Sequence, residues 1–307
     1  EHNWQADDQI VIWKRGAQDT LYFEEGSGLE VLNITVDSSP HYAIKLRGIS
    51  NINIESCQVT PKQGAMISSC ADGIDVQQSK NISITNCKLI ATGDDGISLL
   101  NHKHGHNGHY LENKFQEPYP ASNLNAILEN NTIIGGNRNG ILALCKNLVI
   151  RANIIKHVRQ YGVKFTSSNV KIVNNQFEEL GSFTAYKHIK DELNTGIICS
   201  DEWKQTNILI QGNEFKNWHH MPGIMLKAVR NAEVIANTFV LEHSSPQHNP
   251  GLETVKAIVI GMGEFNGHLL PCEDVILKDN IYQSELWSEK NHATFIQGQQ
   301  NRIHIQD

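Results

Sequence analysis

The chain has 307 residues, 19% of them charged, and a formal net charge of −7. That acidic balance argues against a basic face for nucleic acid. No apolar run is long enough for a transmembrane helix, and EHNWQADDQIV at the start lacks the basic and apolar regions of a signal peptide.

Along the chain one template recurs: Asn, apolar, x, apolar, x, x, Asn or Cys, x, apolar. It opens weakly as GLEVLNITV at Gly28 and becomes clear as NINIESCQV at Asn51 and NISITNCKL at Asn81. NAILENNTI at Asn125, NLVIRANII at Asn147, NVKIVNNQF at Asn169, NILIQGNEF at Asn207, NAEVIANTF at Asn231 and DVILKDNIY at Asp274 follow. Between these copies lies a second template, Gly or Ala, β-branched, x, apolar. It reads YAIKL at 42, DGIDV at 72, DGISL at 95, NGILA at 139, YGVKF at 161, TGIIC at 195, PGIML at 222, KAIVI at 256 and HATFI at 292.

At the tightest, the first template restarts every 22 to 24 residues. Two short alternating strands per repeat, with no sustained helical stripe, predict a solenoid. A propeller blade would need about twice this period, and the LxxLxL signature of a leucine-rich horseshoe is absent. The expected fold is therefore all-β: one single-stranded, right-handed parallel β-helix domain over residues 1–307, of roughly nine or more coils. Loops are expected near 101–122, 181–194 and 242–254. Asn suits a fixed bend because it tolerates left-handed backbone, and stacked amides can bond along the axis.

Aligning the second template on its Gly or Ala stacks Tyr42, Asp72, Asp95, Asn139 and Tyr161 in one column, with about 4.8 Å between coils. The preceding column places Ala71 below Asp94 and Arg138 above it. Three residues beyond the Asp column, an outward column reads Lys45, Asp75, Ser98, Leu142, Lys164. One external face thus gathers Lys45, Asp72, Asp75, Asp94, Asp95, Arg138, Asn139 and Lys164. An isolated Asp-Gly is a turn dipeptide. Two in register on successive coils cost charge repulsion, which holds a proton on one group. A glycosidase uses that arrangement as a protonated acid beside an ionised carboxylate. Asp72, Asp94 and Asp95 are the expected catalytic residues.

At these residues the chain resembles the pectin-lyase-like β-helix glycosidases. ADGIDV followed by TGDDGIS resembles the paired motif of family 28 polygalacturonases. DDQIVIWKRG, MISSCADGID and GDDGISLLNHKHG together are closest to glycoside hydrolase family 110, inverting exo-acting α-galactosidases. Families 49 and 87, which act on α-glucans, share the arrangement. The resemblance implies Asp94 as general acid, with Asp72 and Asp95 positioning and deprotonating water. NGILALCKN and YGVKFTSSN stand where polygalacturonases carry a Gly-His segment and an Arg-x-Lys pair. Only Lys164 remains of that basic set, which favours a neutral sugar such as terminal α-1,3-linked galactose over polygalacturonate. Family 110 chains are longer, which implies a fragment or a compact relative. Alternatives are an endo-acting polysaccharide hydrolase, a non-catalytic glycan-binding β-helix and, more weakly, a lyase.

Asn101, His102 and Trp203 complete the expected substrate-binding set. His102, His104, His106 and His109 read as a cleft wall, because no carboxylate or cysteine lies at zinc-ligand spacing. No metal or cofactor is expected, since this chemistry needs only water and carboxylates. The partner is a carbohydrate substrate, the compartment secreted or periplasmic, and the rate optimum mildly acidic. Cys57 and Cys87 read as an inward apolar stack, with a disulfide open if geometry permits. Trp218 reads equally as sugar platform or packing residue. The sequons at Asn33, Asn81 and Asn130 follow from the repeat itself.

Overall fold

A computed structural model describes residues 18–100, 123–181, 197–200, 205–219, 221–242, 255–265, 268–285, 293–296 and 301–307, with Gly16, Trp287 and Gly298. Among these residues the chain is all β: an 18-stranded and a 9-stranded parallel sheet, and one antiparallel hairpin, Gly263–Phe265 with His268–Leu270. Each coil contributes a strand of the DGIDV type, a strand of the NINI type and a third short strand. The result is the right-handed parallel β-helix.

The apolar alternation of the sequence becomes the inside–outside alternation of each coil. Ile52 and Ile54, Ile82 and Ile84, and Leu148 and Ile150 are buried at 0–2% exposure. Their register is unbroken: Ile52 pairs with Ile82, Ile82 with Ala126, and Ala126 with Leu148. The third face carries a column that changes character along the axis, from Val59 and Leu89 through Ile133 and Ile155 to Phe177, Phe215, Phe239 and Tyr282. The aromatic half stacks at centroid distances of 4.7–5.6 Å. Trp218 packs edge-on against Phe215 and Phe239 and is 2% exposed, so its sugar-platform reading is corrected to a packing role.

Both Asn positions of the template form ladders. Asn51, Asn81, Asn125, Asn147, Asn169, Asn207 and Asn231 all have φ between 54° and 60°. Each donates its Nδ2 to the Oδ1 of the Asn one coil earlier at 2.8–2.9 Å, from Asn81 onward, on the exposed surface. The second position is buried. From Asn131 the column runs through Asn153, Asn175, Asn213, Asn237 and Asn280, and from Asn153 onward each Oδ1 accepts both the backbone N–H and the Nδ2 of the previous coil's Asn at 2.9–3.0 Å. Cys57 and Cys87 occupy this column on earlier coils, buried and as free thiols.

Two details lie outside the template copies read from the sequence. A tenth coil follows Asp274: Val275 pairs with Ile303, so Arg302 takes the left-handed bend at φ 52°. Its lack of Asn hid it. The register also slips by one at TGIIC. Val163 pairs with Ile198, so Ile197 falls opposite Gly162, and Cys199 falls opposite Lys164.

Candidate active site

The candidate site lies where the third strand of each coil turns into the DGIDV-type strand. Ser69 bridges Ser39 and Thr92 here, holding three successive turns in register. Glycine is required for that closeness. A Cβ at Gly93 would lie 2.4 Å from Ser69 O, and one at Gly96 would lie 2.7 Å from Gly140 O. The glycines before and after the Asp pair therefore let each turn nest on its neighbour.

The backbone ladder confirms the expected columns. Gly73 N donates to Asp95 O, Gly96 N to Asn139 O and Gly140 N to Tyr161 O. Alongside, Asp94 N donates to Ala71 O and Arg138 N to Asp94 O. One carboxylate oxygen from each of Asp72, Asp94 and Asp95 lies within 4.8 Å of the others. All three are buried, at 5%, 9% and 2% exposure. Asp72 Oδ1 accepts the backbone N–H of Asp95 at 3.1 Å. Asp95 Oδ1 accepts both the N–H of Asn139 at 3.1 Å and its Nδ2 at 2.8 Å. Arg138 reaches Asp94 Oδ1 at 3.4 Å.

Burial is the main force on the protons here. It pushes Asp72 well above the usual carboxylate range, and the charges of Asp95, Asp75 and Asp94 add to it. Burial and then Asp94 raise Asp95 to about 7, against the opposing pull of Arg138 and Asn139. Such a group holds a shared proton near neutral pH and titrates as a unit. Three converging oxygens could also ligate a hard cation such as Mg²⁺ or Ca²⁺.

The remaining expected residues divide. Asn139 is 2% exposed and spends its amide on Asp95, so it supports the triad rather than facing a substrate. Asp75 lies on the predicted column, in register between Lys45 and Ser98. Its expected contact with substrate is corrected, because it is fully buried, with Oδ2 accepting from Gln77 Nε2 at 2.6 Å. Its Oδ1 and Ser98 Oγ are both buried without a hydrogen bond of good geometry. Burial raises Asp75 to about 7 even though Gln77, Lys45 and Ser98 all favour its charge. Lys45 turns instead to Asp19 at 3.8 Å and to the face of Tyr42 at 4.5 Å. Lys164 sits two coils beyond Ser98, over the ring of Tyr161 at 5.4 Å. Asn101, His102 and Trp203, with the histidines at 104, 106 and 109, lie outside the described residues.

One pair escaped the sequence reading. His41 occupies the Asp94 column two coils earlier, since Ala71 N donates to His41 O. Its Nδ1 meets Asp19 Oδ1 at 2.6 Å. A His adjoining the Tyr of YAIKL, one repeat beyond an Asp, was the available signal.

The chain belongs to the right-handed beta helix region family, whose model matches residues 19–201. No curated protein matches the sequence. Among solved structures it is similar to the family 28 exopolygalacturonase of Yersinia enterocolitica, at 13% identity and TM-score 0.57, over 90% of this chain and 46% of that one. It is similar to an alginate lyase from a Paenibacillus species, at 12% identity and TM-score 0.55, over 93% of this chain and 89% of that one. A glycoside hydrolase matches at 10% identity and TM-score 0.52, over 78% of this chain and 38% of that one. The chain thus spans less than half of either hydrolase, and these likenesses carry the fold.

Proposed function

We propose that the protein is an inverting glycoside hydrolase of the family 110 type, exo-acting on terminal α-1,3-linked galactose outside the cytoplasm. The observation that carries this reading is the convergence of Asp72, Asp94 and Asp95 within 4.8 Å on consecutive turns. A ladder built only for stability has no use for three neighbouring carboxylates. Asp94, the most exposed of the three, gives its proton to the leaving oxygen. Asp72 and Asp95 take the proton of the attacking water. Asp72 and Asp95, both raised by burial, hold the proton that Asp94 passes to the leaving oxygen, and Arg138 faces Asp94 Oδ1 at 3.4 Å.

The spacing favours one second reading. Most inverting pairs stand roughly 6.5–9.5 Å apart to admit water between them, and retaining pairs about 5–5.5 Å. Under inversion the water lies beside the triad, held jointly by Asp72 and Asp95. Under retention one carboxylate attacks the sugar directly.

The test is product analysis on α-1,3- and α-1,4-linked digalactosides, polygalacturonate and α-1,3-glucan, with the first-formed anomer read by NMR. Free β-galactose from the α-1,3 substrate supports the proposal. The α-anomer moves the mechanism to retention, and oligosaccharide products move the reading to an endo-hydrolase. Asp94→Asn is expected to lower kcat/KM by about 10²–10⁴-fold, the usual worth of a general acid. Full activity in that variant would refute the assignment.

A further inference from the structure

We infer that His41, oriented by Asp19, binds a hydroxyl of the leaving-group sugar, forming a subsite on the N-terminal side of the triad. The inference rests on the proposed hydrolase reading for the identity of that sugar.

The imidazole is fixed from several directions. Asp19 Oδ1 holds Nδ1 at 2.6 Å and also accepts the backbone N–H of Tyr42 at 3.4 Å. The Tyr42 ring meets the imidazole edge-on, with centroids 4.2 Å apart. The turn beneath is tied by Ser39, whose Oγ donates to Tyr42 O at 2.7 Å and accepts from Thr20 Oγ1 at 2.7 Å. Asp19 engages one nitrogen, so the other, Nε2, lies across the ring, and among the described residues it makes no hydrogen bond. The side chain is 23% exposed. An imidazole whose tautomer and plane are set by a carboxylate behind it is the usual preparation for binding through the far nitrogen. Charged groups nearby already have partners: Lys45 is drawn to Asp19 and stacks on Tyr42, which leaves the cluster suited to a neutral hydroxyl.

Position decides which sugar. His41, Ala71 and Asp94 share one column, and only a methyl group separates His41 from Asp94 along it. Two coils span about 10 Å, room for one pyranose with a hydrogen bond at either end. In the proposed mechanism Asp94 protonates the leaving oxygen, so the sugar on its column is the leaving group. Asp72 and Asp95, which handle the water, occupy the adjacent column.

The experiment compares galactosyl-α-1,3-galactose with 4-nitrophenyl α-galactoside, whose leaving group carries no sugar hydroxyl. His41→Ala is expected to lower kcat/KM on the disaccharide roughly ten- to a hundredfold, the worth of one specific polar contact. The nitrophenyl substrate should change less than about threefold, and His41→Gln should recover part of the loss. Equal losses on both substrates, or none on the disaccharide, would overturn the inference. Binding to the Asp94→Asn protein by calorimetry separates the two readings. If the wild type cleaves nothing but His41→Ala still weakens disaccharide binding, the subsite stands and the hydrolase reading fails. If the disaccharide binds equally well with and without His41, the subsite fails. His41→Gln also guards against a folding defect, since its melting temperature should match the parent within a few degrees.

Discussion

Two columns of this β-helix use the same device with opposite chemistry. In the buried Asn column, the side-chain oxygen accepts the backbone N–H and the amide nitrogen of the Asn one coil earlier. In the Asp column the bonds run the other way along the axis: Asp72 Oδ1 accepts the backbone N–H of Asp95 one coil later, and Asp95 accepts that of Asn139. An amide carries donor and acceptor and satisfies its copy one coil away. An ionised carboxylate is acceptor-only, so stacked copies repel and need donors from elsewhere. Asn139 supplies two of them and Arg138 faces Asp94. One ladder is self-sufficient; the other depends on donors outside its own column.

The strongest way to break the comparison is to move the chemistry from one column to the other. Asn175→Asp deletes the amide that bonds Ile150 O at 3.0 Å and Asn213 Oδ1 at 2.9 Å, and leaves an unpaired charge in the core. The expected loss is about 3–5 kcal/mol at pH 8, read by chemical denaturation and smaller at pH 5 where the group can stay protonated. A loss below about 1 kcal/mol would mean that the ladder tolerates charge and that the Asp column is not special.

The reverse exchange, Asp95→Asn, restores a donor next to Asp72 and removes one repelling charge. The melting temperature at pH 8 should rise by a few degrees, the size of about 1 kcal/mol in a chain of this length, while the proposed glycosidase activity should fall at least a hundredfold. A less stable variant would show the carboxylate to be structurally preferred.

Wild-type stability should also depend on pH with a definite sign. Asp72, Asp75 and Asp95 are all raised, the last two to about 7. The folded state therefore binds more protons than the unfolded chain, whose carboxylates titrate near 4. The stabilisation is fully present below pH 4 and is lost as pH rises through about 7. Melting curves at constant ionic strength should shift down between pH 5 and 8, with a shallower slope in Asp95→Asn. A rising curve in that window would contradict the burial assigned to the site.

The smallest effect is expected at the exposed ladder. Asn147→Ala removes an amide that bonds Asn125 at 2.8 Å from a left-handed residue with φ 59°. The cost should be about 1 kcal/mol, the low end of the left-handed penalty of Ala, because water replaces the lost bonds.

The repeat was readable because each coil reuses one chemical solution, so that Asn at the bend and Ile at alternate positions recur in phase. The same phase aligned Asp72 with Asp95 and placed Arg138 over Asp94. Reading failed where the repeat fell silent. Arg302 carries the bend without Asn, and Ile197 takes the turn position opposite Gly162. His41 and Asp19 lie one period of 22 residues apart, but neither residue type recurs in the template, so no repeated column marked their meeting.

By itself, then, the sequence determined the period, the alternation and the columns, because these follow from backbone geometry and from residues whose preferences are local. The tertiary structure alone decided that Asp75 and Asn139 are buried supports, that Trp218 is core, and that His41 is held by Asp19. Burial and side-chain direction depend on what neighbouring coils place overhead, and no local preference encodes that.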